Sequence, residues 1–395
     1  MINVFKNIVV SIVLIATSIS TFSQNLNDLS FGTDSTFEVM SWNIEWFPHN
    51  GQSTIDSVSA IIESLDIDVF AIQEVDQESQ FANMLANLDG WEGYYLESDY
   101  LEVGYIYKTE SIQLDSIYEI LTEDEHFRPL PRSPLVMEFS FMGHEMVIIN
   151  IHLKCCGDGT LDLSDEWDEE TRRYDACILI DNYIEDHYSD KNVILLGDMN
   201  DLIEESTSNN VFEVFINDSS NYLIADMGIA EGGNSYWSYP TWPSHIDHIF
   251  ISNELFDEFE NENSTIETIR IEDFLSGGWS EYENNISDHR PLAIKLVMED
   301  LSLDVDHYQL AESLFKVYPN PSRATFNFSF PSIDRDGSIE IYTSSGVLLE
   351  RLNLLQGQRS LQWDASQYPQ GIYYAKLIVS DELMQLKKMV LINDF

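Results

Sequence analysis

The sequence predicts a layered α/β domain followed by a small all-β sandwich. Short apolar runs rich in β-branched and aromatic residues alternate with helical stretches over residues 36–298, which is typical of α/β layers. Residues 315–395 instead contain strand-like runs separated by turns, which is typical of a sandwich. The chain has 395 residues, of which 44% are apolar, enough for two domains with substantial cores.

Eight runs in the first domain have the length and composition of β-strands. They are residues 37–42, 69–73, 104–107, 134–139, 146–152, 192–196, 245–251 and 291–297. Residues 53–65 and 169–187 space their apolar residues as amphipathic helices do. The polar, glycine-containing stretch 261–287 predicts a long surface loop.

The second domain begins after an acidic, weakly patterned stretch, residues 299–314, which predicts a linker. Six strand-like runs follow, at residues 325–330, 338–343, 346–353, 359–364, 371–380 and 384–392. Turn residues such as Asp336-Gly337 and Pro369-Gln370-Gly371 separate them. Residues 315–395 are therefore expected to form the small β-sandwich.

Charge is distributed unevenly along the chain. There are 19 basic and 69 acidic residues, which give a net charge of −50 and exclude a protein that wraps nucleic acid around a basic surface. Residues 312–395 hold 8 basic and 9 acidic residues, so residues 1–311 hold 11 basic and 60 acidic ones. This asymmetry is a second indication of two domains.

The N-terminal residues 1–23 have the pattern of a secretory signal peptide. Lys6 precedes an apolar run at residues 8–16, and small or polar residues follow up to a cleavage point near Gln24. The run is shorter than the roughly 20 residues that a membrane span needs, although an anchor helix is an alternative. The mature chain is expected to be exported, without a membrane span.

Cysteine usage leaves the redox state open. Cys155, Cys156 and Cys177 allow one disulfide and one remaining thiol. Because adjacent cysteines rarely pair, a bridge from Cys177 to either of the others is one possibility, and a fully reduced chain is the other.

Five short segments each end a strand-like run with a metal-ligating or acid/base residue. Ligands in layered α/β proteins lie at the carboxyl ends of strands, so five such endings predict one shared site. The segments are Trp42-Asn43-Ile44, Ile72-Gln73-Glu74, Asn150-Ile151-His152, Leu196-Gly197-Asp198-Met199-Asn200 and Ser287-Asp288-His289. A carboxylate such as Glu74 directly after a buried strand needs a cation or a donor nearby.

Together, in this order, the segments resemble the endonuclease/exonuclease/phosphatase superfamily, which has the deoxyribonuclease I-like fold, over residues 36–298. The resemblance implies a four-layered α/β sandwich whose two sheets meet at a divalent-metal site that cleaves phosphoester bonds. It implies that Asn43, Glu74 and Asp288 lie at the metal. Hard oxygen ligands suit Mg²⁺ above all, or Mn²⁺ or Ca²⁺, whereas no cysteine or histidine-pair spacing near these segments indicates zinc.

The resemblance also implies roles in substrate binding. Tyr100 and Arg132 match residues that contact the phosphate, and Glu102 matches the acid that orients the first catalytic histidine, His152. Asn200 and His152 would hold the phosphoryl group, and His152 would protonate the leaving oxygen if Glu102 keeps it charged.

The general base is open between two candidates. One is His289 polarised by Asp247, which lies in the segment His245-Ile246-Asp247-His248, and the other is Asp198 itself. The remaining histidines near the motifs are expected to be structural or at the rim.

The predicted substrate is nucleic acid, which a secreted nuclease would hydrolyse. One departure weakens polymeric DNA as a substrate: Asp76 stands where digestive-type deoxyribonucleases have a basic groove residue, which leaves Lys154, Arg172 and Arg173 as the nearby cations. A phosphatase or phosphodiesterase for small or lipid phosphate esters is the alternative. A surface binding module that has lost catalysis is a third possibility, which the presence of every expected site residue disfavours.

The last 80 or so residues resemble the type A C-terminal sorting domain of the type IX secretion system of Bacteroidetes. The matching segments are Val317-Tyr318-Pro319-Asn320-Pro321, Ile341-Tyr342-Thr343-Ser344-Ser345-Gly346, Gly371-Ile372-Tyr373-Tyr374 and Lys387-Lys388-Met389-Val390-Leu391. The resemblance implies transport through the periplasm and outer membrane by that machinery, followed by removal of the tail with release or attachment at the cell surface. The enzyme itself is expected to be a monomer.

Overall fold

The computed structural model describes residues 25–96, 102–301, 315–330, 337–344, 346–379 and 382–392. These residues form two compact units that divide between Met298 and Glu299, the turn Met142–His144 aside. The predicted signal peptide and residues 302–314 of the predicted linker lie outside the described residues.

The residues described in the first unit form twelve strands. They are β1 (Phe37–Phe47), β2 (Val69–Val75), β3 (Trp91–Tyr95), β4 (Glu102–Lys108), β5 (Gln113–Glu119), β6 (Leu135–Phe141), β7 (His144–His152), β8 (Asn192–Asp198), β9 (Tyr222–Ile224), β10 (Asp247–Ser252), β11 (Thr265–Thr268) and β12 (Leu292–Leu296). One six-stranded sheet has the order β11-β12-β1-β2-β4-β3, and the other has the order β5-β6-β7-β8-β10-β9. The pair β1/β2 at the centre of one sheet and the pair β7/β8 at the centre of the other are parallel.

The described part of the first unit also contains seven α-helices. They are α1 (Gln52–Leu65), α2 (Glu78–Leu85), α3 (Glu169–Tyr188), α4 (Glu213–Ile216), α5 (Met227–Ala230), α6 (Phe256–Phe259) and α7 (Trp279–Asn285). α1 packs its apolar face against Met40, Trp42 and other residues of the first sheet, and α3 packs against the second sheet. The two predicted helices are thus confirmed.

Each sheet packs helices on one face, and the other faces of the two sheets pack against each other. Phe37 of β1 contacts Phe139 and Phe141 of β6, with ring centroids 5.7 and 5.1 Å apart. Residues 37–44 of β1 are all buried because helices cover one face of the strand and a sheet covers the other. The predicted four-layered α/β sandwich is therefore confirmed.

The stretch 261–287, predicted to be a long surface loop, is a packed part of the domain, and that prediction is wrong. It contains β11, a short 3-10 helix at Ile271–Phe274 and α7. Ile271, Tyr282 and Ile286 belong to the core beside α1. Each of these apolar residues is isolated among polar ones, so no periodic pattern shows in the sequence.

The second unit is a small all-β sandwich. Its strands are β13 (Lys316–Tyr318), β14 (Thr325–Ser329), β15 (Gly337–Thr343), β16 (Leu348–Leu354), β17 (Ser360–Asp364), β18 (Gly371–Val379) and β19 (Glu382–Leu391). A sheet of order β13-β14-β17 and a sheet of order β16-β15-β18-β19 enclose one core that includes Phe326, Ile341 and Trp363. The six predicted strands are present, and β13 was not predicted.

The structure also describes the helices and cysteines on which the predictions about membrane spans and disulfides depend. Within the described ranges, the structure has no helix with the length and apolar character of a membrane span. All three cysteines, which lie in those ranges, are free thiols, and Cys177 of α3 is buried in the core. The structure therefore has the reduced state that the sequence left open.

Candidate active site

The predicted site residues converge where the parallel strand pairs end. In the first sheet, Asn43 lies on β1 and Glu74 lies on the neighbouring strand β2. In the second sheet His152 at the end of β7 is the register partner of Asp198 on β8, and Asp198 is also paired with Asp247 on β10. Parallel neighbours end at the same edge, which is why residues over 100 positions apart meet.

Asn43 links the two sheets at this edge. Its Nδ2 donates to Glu74 Oε1 at 3.0 Å and to Asp198 Oδ2 at 2.9 Å. Its Oδ1 accepts the backbone N–H of Glu45 at 2.9 Å. The amide therefore presents its nitrogen to two carboxylates, and its oxygen is engaged by the backbone.

The backbone at the site adopts conformations that ordinary strand residues avoid. Glu74 has φ +67° and lies at an irregularity in the pairing of β2 with β4, so its side chain leaves the sheet. Asn200 has φ +55°. Gly197 has φ +151°, and a Cβ there would lie 1.9 Å from the carbonyl oxygen of Ile151, so only glycine allows β7 and β8 to approach this closely. Strain of this kind is concentrated at functional sites.

A histidine–carboxylate pair lies beside Asp198. His289 Nδ1 is 2.8 Å from Asp247 Oδ2, and its Nε2 is 3.9 Å from Asp198 Oδ2. Burial by itself lowers the pKa of His289, but the charges of Asp247 and Asp198 raise it to about 10. Burial raises the pKa of Asp198 to about 7, against the charge of His289. Asp198 thus titrates near neutral pH, and His289 is charged there.

The turn that carries His289 is fixed by side chains of other elements. Ser287 Oγ donates to the carbonyl of Asn43 at 2.7 Å and accepts the backbone N–H of His289 at 2.9 Å. Tyr282 of α7 donates to the carbonyl of His289 at 2.6 Å and accepts from Trp42 Nε1 at 3.0 Å. The misassigned stretch 261–287 therefore contributes directly to the position of the histidine.

His152 faces the same carboxylates from the opposite side. Its Nε2 lies 3.5 Å from Asp198 Oδ2 and 3.8 Å from Glu74 Oε1. Burial, followed by the positive charges of Arg132 and His289, lowers the pKa of His152 well below its usual value. Its Nδ1 is buried without a partner among the described residues. The predicted partner, Glu102, belongs to β4 but its side chain lies outside the described residues, so that pairing stays a prediction.

The mouth of the site holds three carboxylates, one of which was not predicted. Glu45, two residues after Asn43, joins Glu74 and Asp288 there. Burial raises the pKa of Glu45 to about 7, and the negative charges of Asp288 and Glu74 add to the effect. Its Oε2 is buried with no hydrogen-bond partner in the described part of the chain. A carboxylate two residues after Asn43 was the available sequence signal, although the positive φ angles of Glu45 and Trp46 interrupt the regular strand there.

Two groups of side chains at the site could hold a metal ion. One ligand atom each of Glu74, His152 and Asp198, and likewise of Asp198, Asp247 and His289, lies within 4.8 Å of the others. The negative charges of Asp288 and Glu74 beside the unpartnered oxygen of Glu45 are a condition that a cation relieves.

The predicted substrate-side residues are only partly placed. Tyr100 lies outside the described residues. Arg132 donates from Nε to the carbonyl of His152 at 3.0 Å and from Nη2 to that of Leu153 at 2.9 Å. Asn200 Nδ2 reaches the same Leu153 carbonyl at 3.3 Å. Tyr239, which sequence reasoning missed, packs its ring 4.9 Å from that of His289 and hydrogen-bonds Asp288.

The other cations near the site are committed to backbone carbonyls. Lys154 Nζ donates to the carbonyl of Cys155 at 2.9 Å, and Arg172 Nε donates to that of Arg128 at 2.6 Å. Arg173 is buried and donates to the carbonyls of Lys154 and Cys156. These side chains therefore hold the loops beside the site in place.

Comparison with known proteins agrees with this fold. Residues 40–289 match the Endonuclease/Exonuclease/phosphatase family, so the chain belongs to that family and is a hydrolase of phosphoester bonds. Residues 316–393 match the secretion system C-terminal sorting domain, which confirms the resemblance of the tail and indicates export to the cell surface or beyond. No curated protein matches the chain.

Solved structures of the same fold include proteins from animals and bacteria. D. rerio TDP2 complexed with a single-strand DNA product has a TM-score of 0.51 at 14% identity, covering 67% of this chain and 100% of that one. The human Nocturnin catalytic domain with bound sulfate has a TM-score of 0.47 at 15% identity, covering 66% and 94%. An endonuclease/exonuclease/phosphatase from Bacteroides vulgatus has a TM-score of 0.46 at 14% identity, covering 67% and 100%.

Proposed function

We propose that the protein is a secreted, divalent-metal-dependent nuclease. The observation that carries this proposal is the position of Asp198, whose Oδ2 lies within 4 Å of the Nε2 atoms of both His152 and His289. A carboxylate between two imidazoles, next to a cluster of oxygen ligands, can accept a proton from water while an anionic phosphoryl group is held close by.

Glu74 and Asp288, with Glu45 beside them, are the proposed ligands of the cation. A divalent ion bound there would neutralise charge on the phosphoryl and leaving oxygens. Asn43 positions Glu74 and Asp198 through its amide nitrogen. Mg²⁺ is the proposed ion because the donors are carboxylates, with Mn²⁺ or Ca²⁺ as substitutes.

Asp198 is the proposed general base because its pKa of about 7 is close to working pH. His289, protonated and held by Asp247, would place positive charge beside the phosphoryl group. The lowered pKa of His152 favours a neutral ring that would donate a hydrogen bond from Nε2, and the charged form that Glu102 would maintain stays a prediction. Asn200 and Arg132 are the proposed contacts of the phosphoryl group.

Exposed aromatic side chains near the site support single-stranded nucleic acid as the substrate. The backbone N–H of Trp46 donates to Glu74 Oε2 at 3.2 Å, and 56% of Trp46 is exposed. Trp242 is 79% exposed in the loop between Tyr239 and Ser244, whose backbones pair. Aromatic rings stack on unpaired bases of any sequence. The TDP2 structure shows that the fold can hold a single-strand DNA product.

The alternative substrate class is a small phosphate ester. The acidic composition of residues 1–311 and the engagement of Lys154, Arg172 and Arg173 by carbonyls favour it, because a polyanion needs cations along its path.

Hydrolysis rates on a panel of substrates distinguish a nuclease from an enzyme for small phosphate esters. We expect the purified protein to hydrolyse single-stranded DNA or RNA faster than plasmid DNA or a chromogenic phosphomonoester, with Mg²⁺ or Mn²⁺ and not with EDTA. Added salt should leave nuclease activity unchanged or increase it, because the Debye length falls from about 30 Å at 0.01 M to about 10 Å at 0.1 M and screens the repulsion.

Two results would contradict this expectation. Hydrolysis of the monoester alone would favour the phosphatase. A steep fall of DNA cleavage with salt at fixed Mg²⁺, with a log–log slope near −0.9 per phosphate contact, would indicate that a basic groove binds the DNA.

Glu74→Gln should raise the metal concentration needed for half-maximal rate. The substitution keeps the size of the side chain and removes one charge from the proposed ligand set. Metal titrations of activity measure the effect, with Glu63→Gln on the exposed face of α1 as the matched control. Full activity of the wild-type enzyme in EDTA would exclude this role for a hard cation.

Removal of residues 315–395 should leave phosphoesterase activity intact and retain the protein in the periplasm. The machinery reads the sorting domain, whereas the site residues all belong to the first compact unit. Fractionation of cells that express the truncated and full chains measures the result. Export of the truncated chain at the normal level would contradict the proposed route.

A further inference from the structure

A second group of carboxylates lies away from the catalytic residues, at the loop between β7 and α3. One oxygen each of Asp158, Asp168 and Glu170 lies within 4.8 Å of the others. Acidic clusters on surfaces are common, so the state of each carboxylate decides whether this one has a function.

Glu170 is the informative member because it is buried. Its side chain is 2% exposed, and its Oε1 accepts the backbone N–H of Gly159 at 2.7 Å and lies 3.3 Å from Arg173 Nη2. Its Oε2 is buried with no hydrogen-bond partner in the described ranges. A buried carboxylate oxygen without a donor is costly, and a bound cation removes that cost.

The other two carboxylates also have oxygens available. Asp168 caps α3 through Oδ2, which accepts from the N–H of Thr171 at 2.9 Å and from that of Asp162 at 3.3 Å, and this leaves Oδ1 available. Asp158 is exposed at the loop. Gly157 has φ +109°, and a Cβ there would lie 2.2 Å from Glu170 Oε1, so glycine allows the loop to close over the carboxylate.

We propose that Asp158, Asp168 and Glu170 bind a calcium ion. The candidate donors are carboxylate oxygens, and separations of up to 4.8 Å suit the longer bonds and flexible geometry of Ca²⁺ better than the compact octahedron of Mg²⁺. The sorting domain indicates export, and extracellular modules bind Ca²⁺ with dissociation constants of roughly 10⁻⁴–10⁻³ M.

The ion would stabilise the loop that follows His152. Arg173, held against Glu170, donates from Nη1 to the carbonyls of Lys154 at 2.7 Å and Cys156 at 2.8 Å. Its Nε donates to Asp201 at 2.7 Å, next to Asn200. An ion bound to Glu170 would therefore also hold the Arg173 guanidinium in place, and Arg173 connects this loop to the turn after β8. The ion is a structural one, and its binding does not depend on the proposed nuclease activity.

Thermal unfolding of the purified full chain tests the site. The Glu74→Gln background weakens binding of the catalytic cation, so variants compared within that background differ only at the second site. In that background we expect 10 mM Ca²⁺ to raise the Tm by about 3–6 °C. Addition of Glu170→Gln or of the surface change Asp158→Asn should abolish the shift, and Glu166→Gln, an exposed charge in the same loop, should retain it.

Terbium provides a second readout that is independent of stability. Trp167 lies next to Asp168, so Tb³⁺ bound at the site should show luminescence excited through tryptophan, and Ca²⁺ should displace it. Trp167→Phe should reduce the emission without changing the Ca²⁺-induced Tm shift. Absence of a Ca²⁺ effect on Tm, or an equal shift in the Asp158→Asn and Glu166→Gln variants, would overturn the proposal.

Discussion

Replacing His289 with alanine and Asp198 with asparagine should each lower turnover by at least about 10², the lower end of the effect of a general acid/base group. Asp198→Asn removes the proton acceptor but keeps the shape that Asn43 and Asn200 contact. His289→Ala removes the charge that Asp247 holds beside Asp198. Both effects are expected in kcat, because both residues act on the reacting groups.

Steady-state kinetics on single-stranded DNA with saturating Mg²⁺ measures these losses. His187→Ala is a suitable control, since His187 lies in the last turn of α3 and stacks on Tyr183 away from the site. Circular dichroism and thermal unfolding establish that each variant is folded. Turnover near the wild-type value in either folded variant would exclude the mechanism.

The fold was predictable wherever strands are buried on both faces. The eight strands predicted in the first unit are present, because each is a dense apolar run. The four strands that were missed, β3, β5, β9 and β11, are the outermost strands of the two sheets. Edge strands bury less surface, so they carry polar residues and lose the apolar pattern that identifies a strand.

The site was predictable in its strand endings and less so in its loops. Asn43, Glu74, His152 and Asp198 end apolar runs, and the sequence marks them for that reason. Glu45 follows the predicted strand 37–42, Tyr239 lies in a segment without an apolar run, and only the folded chain brings them to Asp288 and His289. The lowered pKa of His152 was also beyond prediction, because it depends on burial and on the charges of Arg132 and His289.

A second buried group holds two histidines that were expected to be structural or at the rim, together with Asp226, which no sequence motif marked. Asp226 Oδ2 lies 2.7 Å from His248 Nδ1 and 3.1 Å from His245 Nε2, and all three side chains are fully buried. His248 Nε2 lies 2.9 Å from the carbonyl of Asp201, so both of its ring nitrogens face acceptors. This geometry favours the imidazolium form of His248. His245 accepts the N–H of Ser238 at Nδ1 and faces Asp226 with Nε2.

The pKa values of the pair move in the directions that this arrangement requires. Burial raises the pKa of Asp226, but the charge of His248 and the hydrogen bonds from both rings outweigh it and hold the pKa below its usual value. Burial lowers the pKa of His248, and the charge of Asp226 outweighs that effect and raises it. The ion pair thus persists in the folded core.

Asp226→Asn should destabilise the protein by about 3–5 kcal/mol, the usual cost of leaving a buried charge without its partner. The depressed pKa of Asp226 contributes stability above about pH 4 that is lost as pH falls through its folded value. The raised pKa of His248 contributes stability below about pH 6.5 that is lost as pH rises through its folded value. The loss should therefore be largest between about pH 4 and 6.5, and urea unfolding across that range measures it.

The double variant Asp226→Asn/His248→Gln decides whether the pair is ionic. If His248 is charged, removing both charges should cost less than the sum of the two single changes, because the second change removes the charge that the first left unpaired. The free energies of unfolding of the four proteins at pH 5.5 give the coupling directly. Additive losses, or a loss in Asp226→Asn that does not change with pH, would show that His248 is neutral and that the core is held by ordinary hydrogen bonds.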